Sequence, residues 1–357
     1  MYQNQLISLK LSKNILFFMN PTTKKILQVS ISLLVGIILI YLLYRNIDTK
    51  EMIETLSKAD YRFVFLSMLL GCLAHWSRGV RWTIALCPLG YKVQKRRAFV
   101  AVMTGYLMNT AIPRAGEVAR CAFLKRTDNV PVETSLGSVI GERALDFVIL
   151  VSITTFTFFV EWDIIKAFLD KYADFGIYEK MFYDNIWLLW FLVVMGIAAL
   201  ALIYSYRKAI RRNPFVIKIQ VFLGGIWQGI SSITKLNRKQ QFFYIVHTII
   251  IWACYHLMIY VLFFSIDATS DLSVMAGFTA MVMAGVGMVI PIPGGLGSFH
   301  FFVAQTLIAY KIETDTAEYF ALFAHTAQTL MIVVIGGVST TIGLYLWARK
   351  PVSSKIK

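Results

Sequence analysis

The chain has 357 residues, of which 57% are hydrophobic and only 15% are charged. Soluble domains carry about 25% charged residues, and one soluble core rarely grows beyond about 250–300 residues. This composition therefore excludes a soluble globular enzyme and a disordered chain, and it predicts an all-α polytopic membrane protein. We interpret the formal net charge of +15 first as a signal of membrane topology.

The apolar stretches predict about six spanning helices, because one span needs about 20 mostly apolar residues. They are residues 26–44, 62–85, 135–160, 186–206, 242–266 and 318–347. We expect a single transmembrane domain over residues 26–347, a cytoplasmic segment 1–25 before it and a cytoplasmic tail 348–357 after it. Residues 214–236 are apolar but contain Lys and Gln, so they predict an interfacial helix on the cytoplasmic face.

Two further apolar stretches, residues 98–124 and 272–309, are each too long for one span and are broken near the middle by proline and glycine. Such irregular backbone is tolerated at membrane depth only where it is buried in protein or lines a cavity. We interpret both stretches as re-entrant hairpins, which enter and leave the membrane on the same side. The alternative is that one of them is a kinked full crossing, which gives a different topology.

Loop charges indicate which side each loop lies on. Four loops contain basic residues and no acidic ones: residues 1–25, 86–97, 207–241 and 348–357. The loop 161–184 instead contains six acidic residues and three lysines. Under the positive-inside rule, the basic loops and both termini are cytoplasmic. The sides assigned to the loops are consistent with one another only if each hairpin returns to the side it entered from and the two hairpins enter from opposite faces. Two such hairpins are typical of an inverted repeat, in which transporters form a site near the midplane of the membrane.

The predicted span 135–160 contains three ionisable residues, Glu142, Arg143 and Asp146. Each charge at the membrane centre costs about 2.5–3.5 kcal/mol on insertion scales, so such residues are retained when they are paired or line a polar site. Glu142 and Asp146 are four residues apart and share a helix face. An arginine must therefore lie near them, or one of them must hold a proton.

Neighbouring segments supply candidate partners. Arg78 and Arg81 lie in the predicted span 62–85. Arg114, Glu117 and Arg120 recur every third residue and form one stripe if this arm of the first hairpin is helical. The group contains five arginines and three carboxylates, and guanidinium groups suit a phosphate. Three alternatives stay open: Arg78 and Arg81 as snorkelling anchors, a purely structural ion network, and Glu117 as a simple partner of Arg120.

The hairpin turns supply further candidates. Asn109 in the first hairpin either caps a helix or contacts the ligand. The candidates of the second hairpin are Pro293, Gly294, Gly295, Gly297 and His300. The glycines permit a turn and a close approach of helices, or contact with the ligand, and His300 is a candidate proton-linked group. No metal-ligand, nucleotide-binding or nucleic-acid-binding motif occurs, so we expect no metal, no cofactor and no nucleic-acid partner.

Three segments in this order carry a family resemblance: "GYLMNTAIPRAGEVARCAFLKR", "SLGSVIGERALDF" and "PIPGGLGSFH". They resemble the flippase-like membrane family named for the transmembrane region of lysylphosphatidylglycerol synthase, over nearly the whole chain. The resemblance implies a lipid-moving, multi-pass protein of a bacterial or archaeal inner (plasma) membrane. The family pattern maps onto Asn109, Pro113, Arg114, Gly116, Glu117, Arg120, Glu142, Arg143, Asp146, Pro291, Pro293, Gly294, Gly295 and Gly297.

Two departures from the family pattern limit what the resemblance implies. Many members carry Glu where this sequence has His300, so ion coupling at that position is not implied. The sequence contains no aminoacyl-transferase domain of the kind that follows the membrane part in two-domain members. We therefore expect no synthesis of lysyl-lipid, and the cargo need not be one.

The leading hypothesis is a lipid flippase, not an enzyme, whose arginine-rich site accepts an anionic headgroup while the acyl chains stay in lipid. The alternative is an intramembrane enzyme that acts on a lipid headgroup, with Glu117, Glu142 and Asp146 as general bases or metal ligands. A third hypothesis is a non-transporting membrane partner of envelope synthesis. The sequence specifies neither the cargo nor an oligomeric state.

Overall fold

The computed structural model describes residues 49–164 and 235–348, and the isolated positions 30, 34, 37, 38, 41, 45, 166, 195 and 354. These parts of the chain are almost entirely helical, and we number their α-helices in chain order. They are α1 (Thr49–Ser57), α2 (Tyr61–Leu86), α3 (Lys95–Ala111), α4 (Ala115–Asp128), α5 (Val132–Val160), α6 (Arg238–Phe263), α7 (Val274–Val289), α8 (Ser298–Ala309) and α9 (Thr314–Ala348).

Four of these helices are long and apolar enough to cross a membrane: α2 with a short 3₁₀ extension, α5, α6 and α9. They coincide with the predicted spans 62–85, 135–160, 242–266 and 318–347. The predicted spans 26–44 and 186–206 and nearly all of the predicted interfacial helix 214–236 lie outside the described residues. The prediction of several long apolar helices is therefore confirmed for the part of the chain that the structure describes.

Large apolar side chains cover the outer surfaces of these helices. Phe65 on α2 is 63% exposed, Phe159 on α5 is 75% exposed and Leu344 on α9 is 67% exposed. Contiguous apolar surface on this scale is uncommon on soluble monomers, where it would contact water, and it suits contact with lipid. The chain is thus a multi-pass membrane protein, and its described part is built from helices.

The first broken stretch forms the helix pair α3 and α4, which we call the first hairpin. Helix α3 ends at Ala111 and α4 begins at Ala115, because Pro113 between them cannot continue a helix. The helices touch through their backbones: a Cβ atom on Gly105 would lie 2.8 Å from the carbonyl oxygen of Gly116. Glycine at both positions allows this approach.

The second broken stretch forms the helix pair α7 and α8, which we call the second hairpin. Its turn contains a short 3₁₀ segment, Pro293–Gly295. A Cβ atom on Gly287 would lie 2.9 Å from the carbonyl oxygen of Ser298, so these two helices also make backbone contact. The second hairpin therefore repeats the packing of the first.

Two apolar cores lie side by side, one around each hairpin. Trp82, Ala101 and Leu124 belong to the core around the first hairpin. Phe263 and Phe299 belong to the core around the second hairpin. Helix α2 packs along α6, and α9 packs against both α3 and α8. Helix α9 thus contacts a helix of each hairpin.

The two hairpin turns meet each other. A Cβ atom on Gly294 would lie 3.9 Å from Cα of Thr110, near the end of α3. The segment Pro293–Gly295 packs against α3. The backbone irregularities of both hairpins are therefore neighbours in space.

Candidate functional site

Ionic side chains, four of them buried, come together where α2, α4 and α5 meet. We call this group the charged cluster: Arg78, Arg81, Glu117, Arg120, Glu142, Arg143 and Asp146. All seven are among the residues predicted from the sequence. They comprise four arginines and three carboxylates, an excess of one positive charge.

The centre of the cluster is a four-membered network between α2 and α5. Arg78 Nη1 donates to Glu142 Oε1 and to Asp146 Oδ2, both at 2.8 Å. Arg81 Nη2 donates to Glu142 Oε1 at 3.2 Å and to Asp146 Oδ1 at 2.8 Å. Arg78 is 3% exposed and Arg81 is 0% exposed, so neither is a snorkelling anchor. The helical spacing lets two arginines bridge two carboxylates that would otherwise repel each other.

Arg120 connects α4 to this centre. Its Nη2 atom lies 3.4 Å from Glu142 Oε2, and its guanidinium lies 4.7 Å from the ring of Trp82. Glu142 therefore accepts from three arginines on two helices. Because Arg120 is buried, the carboxylate and the aromatic ring replace the water that its charge loses.

A more accessible pair lies at the edge of the cluster. Arg143 Nη2 donates to Glu117 Oε1 at 3.0 Å, and the two side chains are 39% and 20% exposed. The alternative in which Glu117 simply pairs with Arg120 is not what the structure shows. The peripheral pair joins α4 to α5 at the place where the cluster is open to its surroundings.

Asn109 connects the break in the first hairpin to the cluster. Its Oδ1 atom accepts from the backbone N–H of Gly116 at 2.7 Å, near the N-terminus of α4. Its Nδ2 atom donates to Glu117 Oε2 at 3.4 Å. Asn109 therefore satisfies an orphan donor of α4 and orients Glu117 at the same time.

Arg114 does not join the cluster, contrary to the prediction. It lies exposed at the N-cap of α4 with a left-handed φ of 62°. It takes part in none of the ion pairs found among the described residues. The predicted stripe required Arg114 to be helical, and the left-handed conformation turns it out of register with Glu117 and Arg120.

Helix α6 supplies polar contacts that the sequence analysis missed. Arg78 Nη2 donates to Tyr255 Oη at 3.1 Å, and Arg81 Nη1 donates to Thr248 Oγ1 at 3.2 Å. The guanidinium of Arg81 also lies 5.6 Å from the ring centre of Tyr244. Thr248 and Tyr255 are seven residues apart, or about two helical turns. Hydroxyls at this spacing in an otherwise apolar span are the signal that could have revealed them.

The cluster leaves almost no free volume in this structure. The cavity against Glu117, Arg120 and Arg143 has a volume of about 10 Å³, which is room for about one water molecule. The Nε atoms of all four arginines are buried and have no hydrogen-bond partner among the described residues. The arrangement can therefore bind an anion only after a pair opens. Among the described residues, no group of His, Cys, Asp and Glu has the geometry of a metal site.

The candidates of the second hairpin form its turn. Gly294, Gly295 and Gly297 have φ values of 60°, 72° and 83°, which favour glycine. His300 Nδ1 accepts from the N–H of Gly297 at 3.1 Å. His325 Nε2 donates to the carbonyl oxygen of Gly294 at 2.8 Å. These contacts hold the turn.

The turn of the second hairpin is thus separate from the charged cluster. None of the ion pairs of the cluster includes Pro293, a turn glycine or His300. The turn reaches the first hairpin at Thr110, one residue from Asn109. Its glycines therefore serve the turn and the contact between hairpins.

Comparison with known proteins identifies a matching family and several similar membrane proteins. A family model described as "Lysylphosphatidylglycerol synthase TM region" matches residues 29–336. A "UPF0104 membrane protein" of Methanocaldococcus jannaschii is 21% identical over 332 residues, which cover 89% of this chain and 96% of that protein. Another of the same name, from Pyrococcus horikoshii, is 23% identical over 340 residues, or 86% of this chain and 94% of that protein.

A longer protein also matches. "Glycosyltransferase AglD" of Haloferax volcanii is 22% identical over 349 residues, which cover 91% of this chain and 55% of that protein. No solved structure matches the chain.

Proposed function

The chain belongs to the family of the lysylphosphatidylglycerol synthase transmembrane region, and from this membership and its charged cluster we propose that it moves an anionic lipid across the membrane. The observation that carries the proposal is the clustering of four arginines and three carboxylates where α2, α4 and α5 meet, with Arg78, Arg81, Arg120 and Glu142 buried. Ionic groups within membrane helices are expensive and mark pathways for charged substrates. The excess of one positive charge favours an anionic headgroup.

The headgroup binds by exchange with a carboxylate. Removing one member of a buried ion pair costs about 3–5 kcal/mol, because the other charge is left without a partner. A phosphate that replaces Glu117 keeps Arg143 paired, and the released Glu117 is partly exposed and keeps its hydrogen bond from Asn109, so neither charge is left buried and alone. The partial exposure of this pair makes it the first to open. The buried network of Arg78, Glu142 and Asp146 holds α2 and α5 together while this happens.

The topology that fits this function is the one that the loop charges favour. Six spans, with both hairpins re-entrant from opposite faces, give a single domain over residues 26–347 with cytoplasmic termini in the inner (plasma) membrane. The contact between the two turns then lies near the midplane, as in transporters with inverted repeats.

Transport by reconstituted protein tests the proposal. Proteoliposomes that contain fluorescent phosphatidylglycerol are treated with a membrane-impermeant quencher, and the loss of protected fluorescence gives the rate of translocation. We expect the native protein to accelerate translocation and Arg143→Gln to slow it about tenfold or more, since hydrogen bonds to charged groups contribute about 1.5–3 kcal/mol. Arg62→Gln is the matched control, because Arg62 is exposed and, within the residues that the structure describes, its one ion pair is with Asp60 at the start of α2.

Two results would contradict the proposal. The first is a native rate equal to that of protein-free vesicles, and the second is an Arg143→Gln rate equal to the native rate. Thermal unfolding of each variant in detergent shows whether a loss of transport reflects misfolding. Arg143→Lys adds a further comparison, because it keeps the charge and removes the guanidinium fork.

The enzymatic alternative has less support from the geometry. Glu142 and Asp146 each accept from two or more guanidinium groups, which leaves them poorly placed to act as bases or metal ligands. The relative named a glycosyltransferase matches this chain over only 55% of its own length. Headgroup turnover that requires a divalent metal, measured in the same vesicles, would favour the enzyme over the flippase.

A further inference from the structure

The tail of the chain contacts the first hairpin through Ser354. The Oγ atom of Ser354 donates to the backbone carbonyl oxygen of Asp128 at 2.6 Å, and its backbone N–H donates to the same oxygen at 3.4 Å. Its own carbonyl oxygen accepts from the backbone N–H of Lys92 at 2.8 Å. Ser354 is 6% exposed and Asp128 is 0% exposed. We call this buried contact of Ser354 with Lys92 and Asp128 the tail strap.

The tail strap joins the two ends of the first hairpin that lie away from its turn. Lys92 comes three residues before the start of α3, and Asp128 is the last residue of α4. The last four carbonyl groups of a helix have no partner within that helix, and Ser354 supplies two donors to one of them. Lys92 and Ser354 also belong to two of the basic segments that the loop charges assign to the cytoplasm. In the proposed topology the strap therefore lies on the cytoplasmic side.

An ion pair adds to the same junction. Arg97, in the first turn of α3, has its Nη2 atom 2.9 Å from Asp128 Oδ1, and Thr127 Oγ1 donates to Asp128 Oδ2 at 2.6 Å. A carboxylate at the C-terminus of a helix is unfavourable by itself, because the helix dipole is negative there, and the arginine compensates for it. Asp128 is therefore held twice: its side chain is held by α3 and its backbone is held by the tail.

Helix α4 connects this junction to the charged cluster. Glu117 lies about three helical turns before Asp128, or about 16 Å along the helix axis. Near its other end, α4 is held against α3 by the contact of Gly116 with Gly105. The cavity at the cluster has room for about one water molecule, so a phosphate headgroup fits beside Arg143 only after α4 moves away from α5. A helix that is held at both ends resists this movement.

We infer that the tail strap is an autoinhibitory contact: while Ser354 bridges Lys92 and Asp128, α4 stays against α5, and release of Ser354 lets α4 move and the pair of Glu117 and Arg143 open. The strap suits this role because it consists of a few hydrogen bonds to one residue, and such contacts open more readily than a packed core. The inference rests on the proposed function, in which this pair opens for the headgroup, and it adds the element that controls the opening.

Hydrogen exchange tests the strap and the movement of α4 without transport. The full-length protein is placed in nanodiscs of phosphatidylglycerol and phosphatidylethanolamine, and exchange is followed by mass spectrometry in a peptide that contains Lys92 and in a peptide that covers residues 115–124. Ser354→Pro removes both donors to Asp128, and Ser354→Ala removes only the hydroxyl. We expect Ser354→Pro to speed exchange about tenfold or more in both peptides. Ser354→Ala should speed it about two- to tenfold, the range for one hydrogen bond.

The translocation assay measures the consequence for transport. If the strap inhibits, Ser354→Pro should translocate phosphatidylglycerol faster than the native protein, by about two- to tenfold or more, and Ser354→Ala should lie between the two. Ser57→Ala is the matched control, because its exposed hydroxyl also donates to a backbone carbonyl oxygen, that of Glu54, at 2.8 Å. It should keep the native exchange and the native rate. If thermal unfolding shows that Ser354→Pro is misfolded, the comparison of Ser354→Ala with Ser57→Ala decides.

Three results would overturn the inference. Unchanged exchange at Lys92 would mean that Ser354 does not hold the ends of the hairpin. Faster exchange at Lys92 alone would mean that the strap does not control α4. A native protein that translocates lipid, with Ser354 variants that are no faster, would mean that the strap does not inhibit, and it would leave the proposed function in place. Faster exchange in both peptides without translocation by any of the proteins supports the control of α4 and removes the proposed function alone.

Discussion

The first hairpin and the second hairpin each bring two helices into backbone contact beside a turn that contains proline. Gly105 and Gly116 make the contact in the first, and Gly287 and Ser298 make it in the second. Their surroundings differ. The first hairpin carries two members of the charged cluster, whereas the second packs into a core of Ala and Phe side chains.

This difference indicates that the close glycine contact between two helices does not depend on the ionic side chains that one of the hairpins carries. A close glycine contact positions two short helices, and what the helices then present is set by other residues. In the first hairpin those residues are ionic and bind α5. At the second, His300 of α8 and His325 of the neighbouring α9 hold the turn itself. Each prediction below changes one hairpin, or the cluster beside it, and compares the result with a matched position.

The largest effect is expected when the centre of the charged cluster loses a carboxylate. Glu142→Gln leaves Arg78, Arg81 and Arg120 with one acceptor too few, and we expect a loss of about 3–5 kcal/mol in the free energy of unfolding. Thermal unfolding in detergent measures it. The control is Glu54→Gln, whose exposed pair with Lys58 should make no measurable difference. A Glu142→Gln protein as stable as the native one would show that the cluster does not stabilise the packing of α2, α4 and α5.

The next effect tests the glycine contact itself. A Cβ atom on Gly116 would collide with the carbonyl oxygen of Gly105, so Gly116→Ala must push α3 and α4 apart. We expect a loss of about 1–3 kcal/mol, typical of overpacking, together with slower lipid translocation because Glu117 moves. Gly287→Ala, measured in the same way, should destabilise the protein while leaving the charged cluster in place.

The control for both glycines is Gly137→Ala on α5. A Cβ atom there would meet nothing within 4 Å. This change should stabilise the protein by about 0.5–1 kcal/mol, the usual preference of a helix for alanine over glycine. Equal losses at Gly116, Gly287 and Gly137 would mean that the close contacts are not what the glycines provide.

A smaller change in stability distinguishes the turn of the first hairpin from the turn of the second. Gly294 has a φ of 60° and Arg114 a φ of 62°, although only one of them is glycine. Left-handed backbone costs a residue with a Cβ atom about 1–2 kcal/mol. Gly294→Ala should therefore destabilise the protein by that amount, and Arg114→Gly should stabilise it by a similar amount. The two unfolding temperatures should shift in opposite directions.

The same Arg114→Gly protein also tests a proposed binding role. If the exposed guanidinium first attracts the headgroup, translocation should fall even though stability rises. If translocation is unchanged, Arg114 has no part in binding, and the site consists of the charged cluster alone.

The sequence was sufficient to predict the charged cluster in outline, because ionic residues in apolar helices need partners. The chain places Arg78, Glu142 and Asp146 in segments that are long and apolar, and few side chains in such segments can pair with them. The breaks at proline and glycine predicted both helix pairs for a similar reason, since few other residues end a helix within an apolar stretch.

The details that were wrong, left open or missed depend on contacts that no local pattern specifies. The prediction that Arg114 joins the cluster is wrong, because a left-handed φ is not visible from the sequence in a residue that normally continues a helix. The partner of Glu117 was an open alternative in the sequence, and the structure gives Arg143, since this choice depends on how α4 rotates against α5. Tyr255 reaches Arg78 across 177 residues of chain, so the spacing of Thr248 and Tyr255 can mark a polar face of α6 but not the arginine that it contacts.

The smallest effect concerns how each hairpin starts. Ser273 caps α7, and its Oγ atom accepts from the N–H of Ala276 at 3.0 Å, whereas Gln94 at the start of α3 makes no such side-chain bond. Ser273→Ala should therefore cost about 0.5–2 kcal/mol, and Gln94→Ala should cost nothing measurable. The first helix of the first hairpin is instead held by the contact through Gly105 and by packing against α9. A loss at Gln94 equal to that at Ser273 would show that both hairpins depend on their entry caps, and unfolding temperatures of the two variants decide it.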